Sequence, residues 1–268
     1  MTSARRRFAA LALGATLLVS GVSCSKDNSP TLSADTTQFE STTTTTGTPT
    51  TTALSIGNLD TIVKPKAEGQ LAVYTTPDDA AAPAQQLANP WLYNNEPNAK
   101  VPRVLLAKDA KPGWIEVYLP QRPNGSTGWV KQADVTTEPM DYRIEVRMGE
   151  FNLKAFKGDQ VVLDTKIAVG TSDNPTPGGV YFTSVLIQPP NPNGDYGPYA
   201  WGLSGYSETL SSFNGGDGQL GIHGTNKPQL LGTNVSHGCI RVANADITKM
   251  VNELFRDQPL GIPVQVFA

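Results

Sequence analysis

Apolar and polar residues alternate in short runs along most of the chain, the period-two pattern of half-buried β-strands, and a helical period occurs only near the end. Leu71 to Tyr74, Val101 to Ala107, Trp114 to Leu119 and Gly128 to Lys131 read as strands of a first β module over residues 54–138. Within it, the stretch from Trp114 to Leu119 alternates sides, and the turn residues from Arg122 to Gly128 lead into Trp129-Val130 as a hairpin does. A second β-rich domain, 139–268, opens with Tyr142, Ile144 and Val146 on one side of a strand and Arg143, Glu145 and Arg147 on the other. Residues 151–156 and 161–169 flank the turn Lys157-Gly-Asp-Gln160, and Tyr181 to Ile187 is a further strand. The Pro- and Gly-rich loop 171–179 belongs to no element, and 188–218 is expected to be a long irregular excursion around the apolar block Tyr199 to Leu203. One helix is expected over about 245–256, capped by Asn244, with Ile247, Met250, Val251 and Leu254 on its apolar face; a strand from Ile262 to Phe267 closes the chain. The fold class is therefore mainly β.

The N-terminal quarter lacks this pattern. Arg5, Arg6 and Arg7 precede an apolar run from Phe8 to Val19 and small residues leading to Cys24, which reads as a signal peptide over 1–24 with Cys24 at a lipoprotein-type processing site. Residues 25–53 are rich in Thr, Ser and Pro, including five threonines from Thr42 to Thr46, and are expected to be a disordered tether. Extended, it would reach on the order of 90 Å. The expected location is the bacterial cell envelope, with membrane contact only through a lipid anchor at Cys24. Composition adds little: 38% hydrophobic and 17% charged residues suit a globular protein, and losing three arginines with the signal takes the net charge from −3 to −6. That balance argues against nucleic acid as a partner.

Export sharpens the chemistry. With Cys24 lipidated or removed, Cys239 is the sole thiol of the mature chain, and both histidines, His223 and His237, lie near it in sequence. A nucleophilic thiol needs an imidazole to take its proton and return it to a leaving group. The 16 positions from His223 to Cys239 allow two short strands joined by a loop to bring them together. Two His and one Cys are also valid zinc ligands, so a metal-dependent peptidase is a competing reading, although a thiol enzyme needs no metal and no cofactor. The aromatics Tyr74, Trp91, Tyr93, Trp114 and Trp129 of the first module are either core or a ligand-binding face.

His223-Gly-Thr-Asn followed by Ser236-His-Gly-Cys-Ile-Arg241 resembles the signature of the L,D-transpeptidase (YkuD-type) catalytic domain, and the first module is similar to bacterial SH3-like wall modules. The resemblance implies a YkuD-like β-sandwich over 139–268, preceded by a small SH3-like β-barrel and the tether. It also implies an enzyme acting on peptidoglycan stem peptides, forming 3→3 crosslinks through a Cys239 thioester with release of D-Ala. His223 would be the base, the Gly224 carbonyl its orienting partner, and His237 an accessory group. Backbone N–H groups of Gly238 and Cys239 would hold the oxyanion. Arg241 suits a substrate carboxylate, and Ser236, Thr225, Tyr181 and Trp201 are candidates for the substrate groove. The same thiol chemistry would serve release of D-Ala to water or attachment of proteins to the wall. A non-catalytic wall-binding lipoprotein is the alternative from another class.

Overall fold

The computed structural model describes residues 60–213 and 215–268; the signal-peptide, Cys24 and tether expectations, and residues 54–59 of the first module, lie outside the described residues. The larger sheet has eight strands in the order Gln160–Lys166, Asn152–Lys157, Tyr142–Arg147, Pro263–Phe267, Gly179–Ile187, Ala200–Tyr206, Gln219–His223 and Ile240–Arg241. The last long strand of the chain thus lies at the middle of the sheet, parallel to Tyr142–Arg147 and antiparallel to Gly179–Ile187. The alternation at 142–147 has its physical outcome here: Ile144 and Val146 are fully buried, while Arg147 faces outward. The 152–157 and 160–166 strands form a hairpin closed between Lys157 and Gln160, where Gly158 takes a left-handed φ of 54°.

Two expectations are corrected. The excursion 188–218 contains a central strand, Ala200–Tyr206, almost all of it buried. Its glycines and serines suggest a loop, but Gly205 is glycine because an added Cβ would come within 2.2 Å of the Tyr181 ring. The helix is α-helical only over Asn244–Lys249 and then widens into π-type turns over Met250–Leu254, where Phe255 N–H reaches the Met250 carbonyl at 2.8 Å. Asn244 does not cap it. Its Oδ1 instead accepts a hydrogen bond from Thr225 N–H at 2.8 Å, so a tertiary partner outcompetes the local one. Among the described residues no helix is long and apolar enough to cross a membrane.

The first module is a five-stranded antiparallel sheet, ordered Thr127–Lys131, Trp114–Tyr118, Leu105–Lys111, Thr61–Pro65 and Val135–Pro139, with an added hairpin of Gly69–Val73 and Gln85–Asn89. Strands 61–65, 85–89 and 135–139 are additions to the sequence reading. Tyr74, Trp114 and Trp129 are nine-tenths or more buried and pack together, with Tyr74 and Trp114 edge to face at 5.0 Å. Trp91 and Tyr93 sit apart from them as a second edge-to-face pair, so the five aromatics do not make one face.

The two sheets share their cores. Phe182 of the larger sheet is buried among Val63, Leu105 and Val130, while Ile62 and Val104 of the module join the core around Ile262 and Val264. Gly261 leaves no room between them, since a Cβ there would meet Ile62 Cγ2 at 2.5 Å and Val104 Cγ1 at 2.8 Å. The described residues all fall within one compact unit.

Candidate active site

The Gln219–His223 strand carries the imidazole. It pairs antiparallel with Ala200–Tyr206, placing His223 opposite Ala200, and parallel with Ile240–Arg241, placing His223 opposite Arg241 and Ile222 opposite Ile240. Directly paired residues share a face of a sheet. Ile222 and Ile240 therefore enter the core, and His223 shares its face with Arg241. Cys239 stands at the entry to that strand, and its Sγ is 3.9 Å from the position a Cβ would occupy on Gly221. The bare glycine lets the thiol lie against the neighbouring strand.

His223 is 4% exposed, and its Nδ1 is 2.6 Å from the Gly224 carbonyl oxygen. A carbonyl only accepts, so Nδ1 carries the proton and Nε2 keeps its lone pair. Burial pushes the imidazole down to about 4, aided by the Arg241 charge and opposed by the Gly224 hydrogen bond and Asp195. Burial likewise pushes the Cys239 thiol up, against a backbone hydrogen bond from Gly221 and the Arg241 charge. Burial thus favours the neutral form of both groups, and the unprotonated Nε2 is the lone pair through which His223 would take a proton.

The turn before the thiol is tied from both sides. Ser236 Oγ accepts from Gly238 N–H at 3.1 Å and donates to the Cys239 carbonyl at 2.5 Å. Thr176 Oγ1 accepts from Gly170 N–H at 2.9 Å and donates to the Gly238 carbonyl at 2.8 Å. Gly238 adopts φ 112°, a region other residues rarely enter. Of the two expected oxyanion donors, Gly238 N–H is engaged by Ser236. Cys239 N–H has no acceptor among the described residues.

Two cavities of about 340 and 350 Å³ meet at this pair, each lined by His223 and Cys239. Both are bounded by Tyr196, whose ring lies 4.8 Å from that of His223, and by Phe213. Phe213 belongs to a lid, described at 207–213 and 215–218, closed at its base by Ser207 N–H to the Gly218 carbonyl at 2.8 Å and further out by paired Phe213 and Gly216. His237 is exposed and its ring lies 4.9 Å from the Phe213 ring. Among the described residues no group of three or more His, Cys, Asp or Glu side chains is arranged to hold a metal ion.

The first module holds this lid. Arg122 Nη2 donates to the carbonyls of Ser207 at 3.3 Å, Leu210 at 3.0 Å and Asp217 at 2.9 Å, and its guanidinium lies over the Tyr206 ring at 4.6 Å. Asn124 pairs with the Tyr206 backbone in both directions, at 2.8 and 2.9 Å. Arg122, Asn124 and Thr176 carry no signal in the sequence, because each acts on a partner at least 62 residues away or through a loop.

His223, Gly224, His237, Gly238, Cys239 and Arg241 are thus brought to one place, while three groove candidates have buried side chains engaged in the fold. Tyr181 is 1% exposed, with its hydroxyl on the carbonyls of Pro177 and Gly178 at 3.1 Å. Trp201 is 0% exposed and packs edge-on against Phe255 in the core, although it also borders the 340 Å³ cavity. Thr225 is 3% exposed and builds a turn, its Oγ1 accepting from Lys227 N–H at 3.1 Å. Ser236, at 2% exposure, positions the turn. Arg241 lines the second cavity, and its buried Nε has no partner among the described residues.

Residues 141–264 match the family model of the YkuD L,D-transpeptidase catalytic domain. The comparisons support a catalytic domain of this type over that part of the chain. A protein of Bacillus licheniformis named as a candidate L,D-transpeptidase, YkuD, is 33% identical over 115 residues, 43% of this chain and 61% of its own length. Its counterpart in Bacillus subtilis is 32% identical over 111 residues, 41% of this chain and 59% of its own. The chain thus spans about three fifths of the curated relatives it matches. The catalytic domain of an Enterococcus faecium L,D-transpeptidase is 25% identical, with 47% of this chain and 97% of that one covered at a TM-score of 0.33.

Proposed function

We propose that this protein is a cysteine-dependent L,D-transpeptidase that joins peptidoglycan stem peptides by 3→3 crosslinks. The observation that carries the reading is the strand pairing that sets His223 beside Arg241 and brings Cys239 into the same cavities, with Nε2 of His223 left free to accept a proton. Cys239 Sγ attacks the carbonyl between the third residue of a tetrapeptide stem and its terminal D-Ala, and the S–H proton passes to His223 Nε2. Cys239 N–H is the available backbone donor for the resulting oxyanion. As the C–N bond breaks, the imidazolium returns its proton to the departing amine and a thioester remains. An amine of a second stem attacks that thioester and loses its proton through His223, and the thiol leaves as it was.

The two cavities meeting at the thiol give separate room for acyl donor and amine. Arg241, with its unpartnered Nε in the second, suits a substrate carboxylate. His237 stacks with the lid and serves as an accessory wall. This chemistry belongs in the cell envelope, where the signal-peptide and Cys24 anchor readings would hold it. The five-stranded antiparallel sheet with its Trp129-Val130 strand supports reading the first module as SH3-like.

The test is incubation of the purified protein with disaccharide-tetrapeptide, followed by mass spectrometry. A dimer lacking one D-Ala supports the reading. A tripeptide product would shift it to L,D-carboxypeptidation, and unchanged substrate would sink it. Activity must vanish in Cys239→Ala and be indifferent to chelators.

A further inference from the structure

Where the two sheets meet, a third cavity of about 420 Å³ opens beside the catalytic ones, sharing Tyr93, Asn94, Gly216, Asp217 and Gln219 with the 340 Å³ cavity. One wall comes from the first module: Trp91, the Tyr93–Asn95 turn and Arg103. Asn94 and Asn95 hold left-handed φ values of 51° and 58° at that turn, a conformation asparagine tolerates better than most residues.

We infer that this crevice is a carboxylate-binding extension of the substrate groove, with Arg103 as its anion anchor. Arg103 is fixed by its own backbone N–H to Asn89 Oδ1 at 2.9 Å and by Nε to the Ala88 carbonyl at 3.0 Å, and its guanidinium lies 5.2 Å from the Trp91 ring centroid. That arrangement uses one face and one donor. The two terminal amino groups have no hydrogen-bond partner among the described residues, and the residue forms no ion pair there. Asp217, also in the lining, is exposed and lies outside ion-pair distance. Burial pushes the guanidinium down to about 10, so the charge is held with much of its water removed and no ion-pair partner among the described residues. A stacked, pre-positioned guanidinium with a free edge is matched by a carboxylate taking two parallel N–H bonds. The crevice opens into the cavity that holds Cys239, so the ligand class is a peptide acyl donor carrying a free carboxylate away from its reacting carbonyl.

This inference rests on the proposal that the site takes a peptide acyl donor, and the test separates the two. The probes are one tetrapeptide with a free internal carboxylate and the same peptide with that group as carboxamide. Calorimetry measures both against full-length Cys239→Ala and Cys239→Ala/Arg103→Gln, while turnover is followed with the otherwise unaltered chain. The expected result is at least a tenfold loss of affinity for the carboxylate peptide on Arg103→Gln, with the carboxamide peptide within twofold. Arg103→Lys, which keeps the charge without the planar fork, should retain part of the preference and serves if the glutamine variant does not fold. Equal losses for both peptides, no loss for either, or no binding of either would overturn the subsite. Carboxylate-selective binding without turnover would leave the subsite standing and remove the transpeptidase reading.

Discussion

Removing Arg122 should loosen the active-site lid without touching a catalytic group. A single Nη2 with two protons serves three carbonyls, at 2.9, 3.0 and 3.3 Å, so the longest contact is a shared one. Hydrogen bonds from a charged donor contribute roughly 1.5–3 kcal/mol each when buried, but those to Leu210 and Asp217 lie at the exposed surface, where water replaces the donor. With the stacking on Tyr206 lost as well, Arg122→Ala should cost about 2 kcal/mol of lid closure, on the order of a thirtyfold shift in the opening equilibrium. Native-state hydrogen exchange reads this directly: the hydrogen-bonded lid amides, among them Ser207 bonded to the Gly218 carbonyl and the Phe213 and Gly216 pair, should exchange on the order of thirty times faster. The core strand 142–147 should be unaffected, and Arg122→Lys should fall between. Unchanged exchange in the lid, or equal acceleration throughout the chain, would refute the reasoning.

Other expectations follow from single contacts. His223 sits at about 4 against an ordinary 6.5, so the unfolded chain binds its proton more readily; the stability it contributes is complete above pH 6.5 and is lost as pH falls toward 4, on the order of 3 kcal/mol. Denaturant titrations of wild type and His223→Gln should differ in pH dependence by that slope between pH 6.5 and 4, on top of a constant offset from the lost Gly224 hydrogen bond and Tyr196 contact. Thr176→Val keeps the shape but strands Gly170 N–H and the Gly238 carbonyl, so it should cost about 2 kcal/mol in urea titrations and slow acylation of Cys239. Gly205→Ala drives a methyl into the Tyr181 ring and should lower the melting temperature by several degrees, about 1–3 kcal/mol of overpacking, with the loss reduced when Tyr181 is also made smaller.

How much was legible follows from what each signal encodes. The alternation at 142–147 and the hairpin around Gly158 are local, and residues two apart suffice to read them. The rarity of Cys and His likewise picks out His223 and Cys239 as a candidate pair without any knowledge of the fold. By contrast, the clamp from Arg122 to Asp217 joins positions 95 apart, and Ile62 is buried in a core built mainly by the other sheet. No local pattern reports such partners. The strand 200–206 was hidden because its glycines answer to Tyr181 and Val185 across the sheet rather than to a turn.

The misplaced groove residues show where local reading stops. Trp201 is a groove candidate in the sequence, yet on a strand its direction is a matter of parity. Ala200 pairs with His223 and Gly202 with Gly221, so those two share the catalytic face, and Trp201, opposite Ile222, must point into the core. A one-residue slip would have placed Trp201 over the imidazole and His223 against Phe255. The register that decides between these outcomes is held by close approaches across it: Gly221 cannot carry a Cβ, which would lie 2.8 Å from the Trp201 carbonyl, and Gly202 cannot, because Val185 Cγ1 lies 2.6 Å from its position. Gly202 and Gly221 therefore decide which side chains line the candidate site, even though they contribute none of their own.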